Sequence, residues 1–158
     1  MPVAIRRATK DDASDVAEYA MKLVEQHIDY DPKRFSPIAT LEGMTWFYGT
    51  QTEAENAAVF VAENEGRIAG FAYVGYEEIS YEDLATKSAW VHDIYIDPAA
   101  RHSGAGQALM DAAVGFAKER GATKLLLWTA ESNVEARRFF EQSGFAATMR
   151  EMMLELGD

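Results

Sequence analysis

The residues whose types and spacing could do chemistry are concentrated between positions 90 and 110. Residues 90–97 have the composition of a strand, which ends at Pro98 because proline cannot continue a hydrogen-bonded ladder. Gly104 and Gly106 follow, and glycine lets a ligand approach the backbone closely. The first N–H groups of a helix are unpaired and lie at the positive end of its dipole. A strand, a glycine loop and a helix N-terminus in this order predict an anion-binding site.

Two common phosphate-binding motifs do not fit this loop. A dinucleotide fingerprint needs a further glycine after Gly106, at the position occupied here by Leu109. A nucleotide P-loop needs a Gly-Lys-Ser/Thr tripeptide, which occurs nowhere in the chain. The pattern that remains is Arg101-x-x-Gly104-x-Gly106. It marks either a different anion site or a tight strand-to-helix turn with a surface arginine.

Length, charge and cysteine content narrow the class of protein. The 158 residues predict one domain, spanning 1–158, with a sizeable core. A net charge of −11 argues against nucleic acid as a partner and suits either a cationic small substrate or a solvated acidic coat. The absence of cysteine excludes disulfides, thiolate metal sites and cysteine nucleophiles. Because no apolar leader or membrane-length run is present, we expect a cytoplasmic protein without membrane contact.

Hydrophobic periodicity and capping signals predict the elements that must position the loop, in the order β-α-α-β-β-β-α-β-α-β. In chain order they cover residues 3–8, 12–27, 39–48, 57–63, 67–77, 88–97, 104–120, 124–130, 132–143 and 145–156. The unit from 88 to 130 is a right-handed βαβ crossover, so its two strands are parallel. The stretch 145–156 alternates apolar and polar residues and is predicted to close the sheet. Glu77 and Glu78, in an acidic loop over 76–83, could hold a protonated amine or be ordinary surface charges.

A second motif follows the βαβ unit. Its letters are Asn133-x-x-Ala136-Arg137-x-Phe139-Phe140-Glu141-x-x-Gly144-Phe145. With the glycine loop, it resembles the two motifs of the GNAT (GCN5-related N-acetyltransferase) superfamily, R/Q-x-x-G-x-G/A and N-x-x-A-x-x-F/L-Y-x-x-x-G-F. The resemblance is strong over residues 58–150, whereas the first 57 residues match in element order only.

The resemblance implies an α/β (α+β) fold of the GNAT type. Its mixed, mostly antiparallel sheet has a central parallel strand pair that splays to admit acyl-CoA, with helices on both faces. It implies acetyl-CoA (coenzyme A) as co-substrate and no metal. By motif position, the backbone of Ile94 and Ile96 would meet the pantetheine arm, Asn133 would contact the pantetheine, and Arg137 or Arg138 would meet the 3′-phosphate. The diphosphate would be held by the loop residues Arg101, His102, Ser103, Gly104, Ala105 and Gly106.

In GNAT enzymes a neutral amine attacks the thioester directly, so a base must take a proton from an amine with a pKa of about 10. Many members have a glutamate at the position of His92. A histidine, with an ordinary pKa of about 6.5, is a suitable acceptor at neutral pH. Alternatively, His92 is a half-buried strand residue paired with a carboxylate. Asp93, Glu77 and Glu78 are then the other candidates for the base.

Two further roles follow from the resemblance. The leaving thiolate commonly receives its proton from a tyrosine where this chain has Phe140. Tyr95, Tyr76, Tyr48 or a water could replace that tyrosine, or the thiolate could leave unassisted. The segment between the first two helices often overhangs the acceptor, and five of its residues could line an amine pocket or simply pack. These are Tyr30, Asp31, Phe35, Trp46 and Tyr48.

Three functions fit these observations. The first, which we predict, is an N-acetyltransferase for a small cationic amine such as a polyamine, an aminoglycoside or an amino-acid-like compound. The second is a protein N-terminal or lysine acetyltransferase. The third is a non-catalytic acyl-CoA-binding module, which Phe140 favours and the polar residues around His92 disfavour. Dimers are common in the family, so a homodimer is among the expectations.

Overall fold

The centre of the molecule is a five-stranded sheet with the strand order β1-β2-β3-β4-β5. It is seen in a computed structural model that describes residues 3–157. The strands are β1 (Ala4–Arg7), β2 (Ala57–Asn64), β3 (Arg67–Ser80), β4 (Ala85–Ile96) and β5 (Lys124–Leu127). Pairing is antiparallel from β1 to β4, whereas β4 and β5 are parallel. A parallel pair needs a long crossover, which a helix provides here.

Helices cover both faces of the sheet, as predicted. On one face lie α1 (Ala13–Tyr30) and α2 (Leu41–Gln51). On the other face lie α3 (Ala105–Glu119) and α4 (Val134–Gln142). Among residues 3–157, none of the helices combines the length and the apolar character needed to cross a membrane.

The two faces of the sheet are packed by side chains of different size. On the α3 face, Ala62 and Ala72 are buried beneath Leu109, and such small side chains let a helix lie close to a sheet. On the other face, Phe71 and Tyr48 are almost completely buried, with ring centroids 5.5 Å apart in an edge-to-face arrangement. The aliphatic face supports the helix that follows the glycine loop. The aromatic face supports α2.

An ionic cluster anchors the start of α1 to the sheet. Arg6 on β1 contacts both carboxylate oxygens of Asp12 at 2.8 and 3.0 Å, and it also reaches Glu63 of β2 at 2.8 Å. Asp12 accepts a further hydrogen bond from the Thr9 N–H at 2.7 Å, which stabilises the 3₁₀ turn Lys10–Asp12 that precedes α1. The Arg6 guanidinium holds the pKa of the Asp12 carboxyl at about 2, well below its ordinary value.

Strand β4 carries a bulge at His92. Asp93 pairs with Tyr73 of β3, and Val91 pairs with the next residue of β3, so His92 is the extra residue. An extra residue bends a strand and changes the face on which the following side chains lie. Val91 and Ile94 therefore both face α3, although they are three positions apart. His92 and Asp93 both lie on the α2 side of the sheet.

The first nine predicted elements are present in the predicted order, with shifted ends. The acidic loop predicted over 76–83 is wrong, because β3 runs to Ser80 and pairs with the start of β4 as far as Ala85. The turn covers only residues 81–84. Charged side chains on a solvent-exposed two-stranded arm do not oppose strand formation, so polarity alone misplaced this boundary.

The tenth predicted element, a strand over 145–156, is wrong for the described chain. Residues 146–157 make no backbone hydrogen bond to the sheet. The parallel pair of β4 and β5, predicted to be central, therefore lies at one edge. An alternating sequence shows that a segment suits a strand, but it does not show which strand will pair with it.

The ionic cluster at α1 generates a prediction about stability. The lowered pKa of Asp12 means that its charge stabilises the fold above its ordinary pKa of 3.8, and that this contribution is lost as the pH falls toward about 2. We expect Asp12→Asn to reduce the free energy of unfolding by roughly 1–2 kcal/mol at pH 7. The deficit should shrink as the pH falls from about 4 to about 2. Urea denaturation across this range measures both effects.

Asp11→Asn is the matched control, since Asp11 is exposed and lies one residue away in the same 3₁₀ turn, Lys10–Asp12. Its free energy of unfolding should stay close to that of the parent. Equal losses in the two variants would contradict a specific role for the Arg6–Asp12 pair.

Candidate active site

A gap opens between β4 and β5 after Val91. The parallel ladder pairs Ser88 to Val91 with Lys124 to Leu127 and stops there. Strand β4 continues to Ile96 with β3 on one side only. Residues 92–96 therefore have a free backbone edge facing the gap, and its polar groups need partners from outside the sheet.

The backbone groups on this free edge can be assigned. The Asp97 N–H donates to the Ala69 carbonyl of β3 at 2.8 Å, so it points away from the gap. Because N–H groups alternate along an antiparallel strand, those of Ile94 and Ile96 point into the gap. The Ile96 carbonyl accepts a hydrogen bond from Arg101 Nε at 3.1 Å. The N–H groups of Ile94 and Ile96, on this edge, have no partner strand beside them within the described chain.

The glycine loop presents unpaired N–H groups at the start of α3. The first helical hydrogen bond runs from the Ala108 N–H to the Gly104 carbonyl at 3.0 Å. The N–H groups of Gly106 and Gln107 have no backbone acceptor among residues 3–157. Gly104 has a φ of +89°, a conformation that favours glycine. Free N–H groups and the positive end of the helix dipole together suit a phosphate group.

Side chains of the loop brace its shape. Arg101 packs its guanidinium over the Tyr95 ring at 5.7 Å while its Nε holds the Ile96 carbonyl. Ser103 Oγ donates to the Ala100 carbonyl at 2.5 Å. His102 is exposed and has a φ of +64°. Arg101 Nε and Ser103 Oγ are therefore engaged within the loop, and its unpaired donors include the backbone N–H groups.

Helix α4 packs against the start of α3 and brings the second motif to the loop. A Cβ added to Gly106 would lie 3.5 Å from the Phe139 ring. Asn133 caps α4, with its Oδ1 accepting from the Ala136 N–H at 3.1 Å, so only its amide NH₂ remains for a ligand. The Nε of Arg137 is buried without a hydrogen-bond partner among the described residues. Both residues retain unused donors.

A polar depression of about 210 Å³ lies on the α2 side of β3 and β4. Gln51, Tyr73, Gly75, Glu77 and His92 contribute to its lining. The His92 ring lies against the Tyr73 ring with centroids 4.9 Å apart, and the Tyr73 hydroxyl donates to Gln51 Oε1 at 3.1 Å. Gly75 makes room for the imidazole, because a Cβ there would lie 3.1 Å from His92 Nε2.

Asp93 lies beside His92 in sequence but beneath α2. The Tyr48 hydroxyl donates to Asp93 Oδ2 at 2.6 Å, and Tyr48 is only 2% exposed. Burial raises the pKa of the Asp93 carboxyl, and the Tyr48 hydrogen bond opposes that shift. Burial also raises the pKa of Tyr48, so the phenol stays protonated and keeps donating. Tyr48 therefore positions Asp93 and has no free proton for other groups.

His92 is in the protonation state that a base requires. Burial of part of its ring lowers its pKa below the ordinary 6.5, and the carboxylates of Asp93 and Glu77 oppose that shift. The residue keeps an exposed edge at the depression. At pH 7 the imidazole is therefore mostly neutral and can accept a proton.

Four other predicted residues lie outside this arrangement. Tyr95 is 9% exposed and packs in the core against Tyr19, with ring centroids 5.8 Å apart. Tyr30 accepts a hydrogen bond from Gln26 at 3.0 Å, and Trp46 is 72% exposed on α2. Glu78 accepts from the Tyr76 hydroxyl at 2.5 Å, so Glu77 is the member of the acidic pair that lines the depression.

Several residues of the depression were missed by the sequence analysis, and those nearest His92 include Gln51, Tyr73 and Gly75. Tyr73 and Gly75 are two positions apart on one strand and share a face, which a period of two could have indicated. Gln51 lies at the end of α2, far away in sequence, and only packing brings it to Tyr73.

Comparison with known proteins places this arrangement in a family. Residues 20–145 match the model of the acetyltransferase (GNAT) family. An uncharacterized N-acetyltransferase of Bacillus subtilis, YhfO, is 29% identical, with 89% of this chain and 88% of the relative covered. An uncharacterized N-acetyltransferase of Methanocaldococcus jannaschii is 30% identical over 89% of this chain, which spans 59% of the relative's length.

A solved structure shows the same fold. It is the aminoglycoside acetyltransferase AAC(6′)-Iy in complex with a CoA bisubstrate analogue, and it superposes with a TM-score of 0.80. The alignment covers 100% of each chain at 16% sequence identity. At 16% identity, this similarity shows a shared fold.

The buried pair of Tyr48 and Asp93 generates a second prediction. Tyr48→Phe removes the donor and leaves a buried carboxylate oxygen without its partner, so the free energy of unfolding should fall by about 1–3 kcal/mol. The pKa of Asp93 should rise further, because the hydrogen bond that lowers it is lost. Chemical denaturation and NMR titration of the carboxyl carbon measure the two changes. Tyr30→Phe is the control, and a similar loss there would contradict the assignment.

Proposed function

Because the chain belongs to the GNAT family of acetyltransferases, we propose that it transfers an acetyl group from acetyl-CoA to a primary amine of a small cationic substrate. Attack is direct, with both substrates bound together. The compartment we propose is the cytoplasm, as expected from the sequence. The observation that carries the proposal is the bulge at His92. The pairing of β4 with β5 ends just before His92, and the imidazole of His92 lines the polar depression.

The residues present fit acetyl-CoA. The N–H groups of Ile94 and Ile96 face the gap, and those of Gly106 and Gln107 are unpaired at the helix start. Arg137 adds a buried nitrogen that lacks a partner among residues 3–157. In that part of the chain, no three His, Asp or Glu side chains are grouped as metal ligands would be. When bound, acetyl-CoA supplies an acyl group activated as a thioester.

In this proposal each chain residue has one task. The neutral imidazole of His92, directly or through a water, accepts the proton that the attacking amine loses as its C–N bond forms. The Ile94 N–H, pointing into the gap, stabilises the negative charge that develops on the carbonyl oxygen. Asp93, held by Tyr48, stays beneath the strand and keeps the bulge in place. The thiol of the leaving group has a pKa of about 8.5, so departure as thiolate followed by protonation from water is feasible.

A cationic acceptor is supported by charge. Glu77 lines the depression beside His92, and the whole chain carries a net charge of −11. A protonated amine is attracted to such a surface, and Glu77 can hold it until the ammonium releases one proton to water. The neutral amine then attacks, and His92 accepts the second proton. Phe140 replaces the usual tyrosine and is 8% exposed within the core, so it supplies packing only. The depression holds about 210 Å³, which suits a small amine better than a folded protein surface.

The proposed base generates a prediction about pH. Its neutral form is the active one, so kcat/KM should fall as the pH drops through the pKa of His92, which lies below 6.5. In His92→Gln the decrease of kcat/KM at low pH should disappear, and kcat should fall by about 10²–10⁴-fold. Thiol release from acetyl-CoA, measured from pH 5 to pH 9 with a panel of small amines and basic peptides, gives both quantities.

The matched control is His27→Gln, because His27 lies on α1 with its Nδ1 against the Leu23 carbonyl. It should keep the parent profile. If kcat/KM of His92→Gln decreased at low pH as it does in the parent, His92 would not be the base. Thiol release with peptides alone would favour protein acetylation, and binding of acetyl-CoA without any release would favour a non-catalytic module.

The glycine loop generates a further prediction. Gly104 has a φ of +89°, so Gly104→Ala should cost about 1–2 kcal/mol in backbone strain and weaken acetyl-CoA binding several-fold. Gly115→Ala is the control within the same helix, where an added Cβ meets nothing within 4 Å. It should raise stability by about 0.5–1 kcal/mol without changing acetyl-CoA affinity. Titration calorimetry and urea denaturation separate the two effects, and equal affinities for both variants would contradict the role of the loop.

A further inference from the structure

A hydrogen-bonded pair, Gln51 and Tyr73, lines the depression and has no task in the proposed proton transfer. Gln51 is the last residue of α2, and Tyr73 lies in β3. The Tyr73 hydroxyl donates to Gln51 Oε1 at 3.1 Å. Both side chains line the same depression as His92 and Glu77. A polar pair in this place can contact the acceptor substrate beside its reacting amine.

The ring of Tyr73 is held on three sides. The His92 ring lies against it with centroids 4.9 Å apart, and the rings of Phe47 and Tyr48 meet it edge-on at 5.6 and 5.8 Å. Burial raises the pKa of Tyr73, so the phenol keeps its proton at neutral pH. The hydroxyl is therefore a fixed donor, and it determines that the oxygen end of the Gln51 amide faces it.

This orientation leaves the nitrogen end of the Gln51 amide free. A carboxamide has one acceptor oxygen and an NH₂ group with two donors. Among residues 3–157, the Gln51 side chain has the Tyr73 hydroxyl as its hydrogen-bond partner, and that bond uses the oxygen. Gln51 is half-buried, so water reaches its NH₂ group only in part. A donor in such a site favours a ligand that supplies an oxygen.

The charges around the depression decide what kind of oxygen can bind there. Glu77 is part of the lining, and so are Gln51 and Ala54 at the C-terminal end of α2. A helix C-terminus is the negative end of the helix dipole. The described lining contains no lysine or arginine, and Arg120 lies outside it with its guanidinium on Asn56 Oδ1. The depression therefore attracts an ammonium group and repels a carboxylate.

Building on the proposed function, we infer that the acceptor carries an uncharged oxygen beside its primary amine, and that the Gln51 NH₂ group donates to this oxygen. Glu77 attracts the amine end, and the oxygen fixes which way round the molecule lies relative to His92. The substrate class is an amino alcohol or an amino amide. A polyamine has no oxygen to accept the bond, and the carboxylate of a free amino acid is repelled. Gln51 is then a specificity-determining residue, and Tyr73 is a positioning residue that acts through it.

The first test compares small acceptors by thiol release from acetyl-CoA. Ethanolamine and glycinamide carry the uncharged oxygen, whereas propylamine and ethylenediamine lack it and glycine carries a carboxylate. In the parent chain, kcat/KM for the first two should exceed that for the other three by about tenfold. These amines differ in basicity, so the decisive quantity is the change in each ratio of kcat/KM between the parent and a variant.

Two variants of Gln51 separate the donor from the charge. Gln51→Met removes the NH₂ group, so the ratio of ethanolamine to propylamine should fall by about tenfold. Gln51→Glu keeps an oxygen for Tyr73 and adds a negative charge, so the ratio of ethanolamine to ethylenediamine should fall at least as far. Tyr73→Phe should lower the first ratio by a smaller factor, because the amide is then free to turn.

Gln142→Glu is the matched control for the charge change. Gln142 is exposed at the end of α4, on the opposite face of the sheet from the depression. This variant should keep the ratios of the parent.

The second test measures the hydrogen bond without acetyl transfer. The side-chain NH₂ signals of Gln51 are identified in a ¹⁵N NMR spectrum by their loss in Gln51→Met. With coenzyme A in place of acetyl-CoA, addition of ethanolamine to the parent should shift these two signals. The same concentration of propylamine should leave them nearly in place, because it offers no oxygen.

The two tests distinguish failure of this inference from failure of the proposed function. Acetyl transfer whose ratios stay the same in both Gln51 variants would overturn the inference and leave the proposed function standing. Absence of transfer to every amine would overturn the proposed function, and the NMR shifts would then decide the inference alone. Equal shifts with ethanolamine and propylamine, or no shift with either, would overturn the inference.

Discussion

The parting of β4 from β5 after Val91 is the constraint on which the rest of the structure depends. A parallel pair buried under helices would normally satisfy its backbone along its whole length. Here β4 continues to Ile96 with one edge free, and the crossover that joins the two strands places the glycine loop at the end of the opening. The polar backbone that the sheet leaves unsatisfied becomes the surface on which a ligand can be held.

The bulge at His92 couples this opening to the opposite side of the sheet. By adding one residue, it puts His92 and Asp93 on the same side and gives them different surroundings. The imidazole keeps an exposed edge in the depression, whereas the carboxylate is packed beneath α2 against Tyr48. Two adjacent titratable groups thus lie in different environments. The strongly acidic chain can still bind an anion, because salt screens distant charges beyond about 8 Å while the loop N–H groups act in contact.

The elements that the sequence predicted well are those whose signals are local. Proline at the end of β4, the glycines of the loop and Gly121 after α3 restrict the backbone at their own positions, so nine elements follow in order. The two motifs meet in the fold, since a Cβ added to Gly106 would lie 3.5 Å from the Phe139 ring. The predictions that failed concern polar strand ends and strand partners, which depend on residues distant in sequence.

The sequence by itself determined the family, the layered architecture and the identity of the loop that offers free N–H groups, because each follows from residue types at fixed local spacing. Only the tertiary structure decided that Tyr48 donates to Asp93, that Tyr73 donates to Gln51, and that residues 146–157 do not pair with the sheet. Those outcomes depend on which surfaces meet across the fold. Pairing between segments far apart in the chain is a property of packing, and no local pattern of letters specifies it.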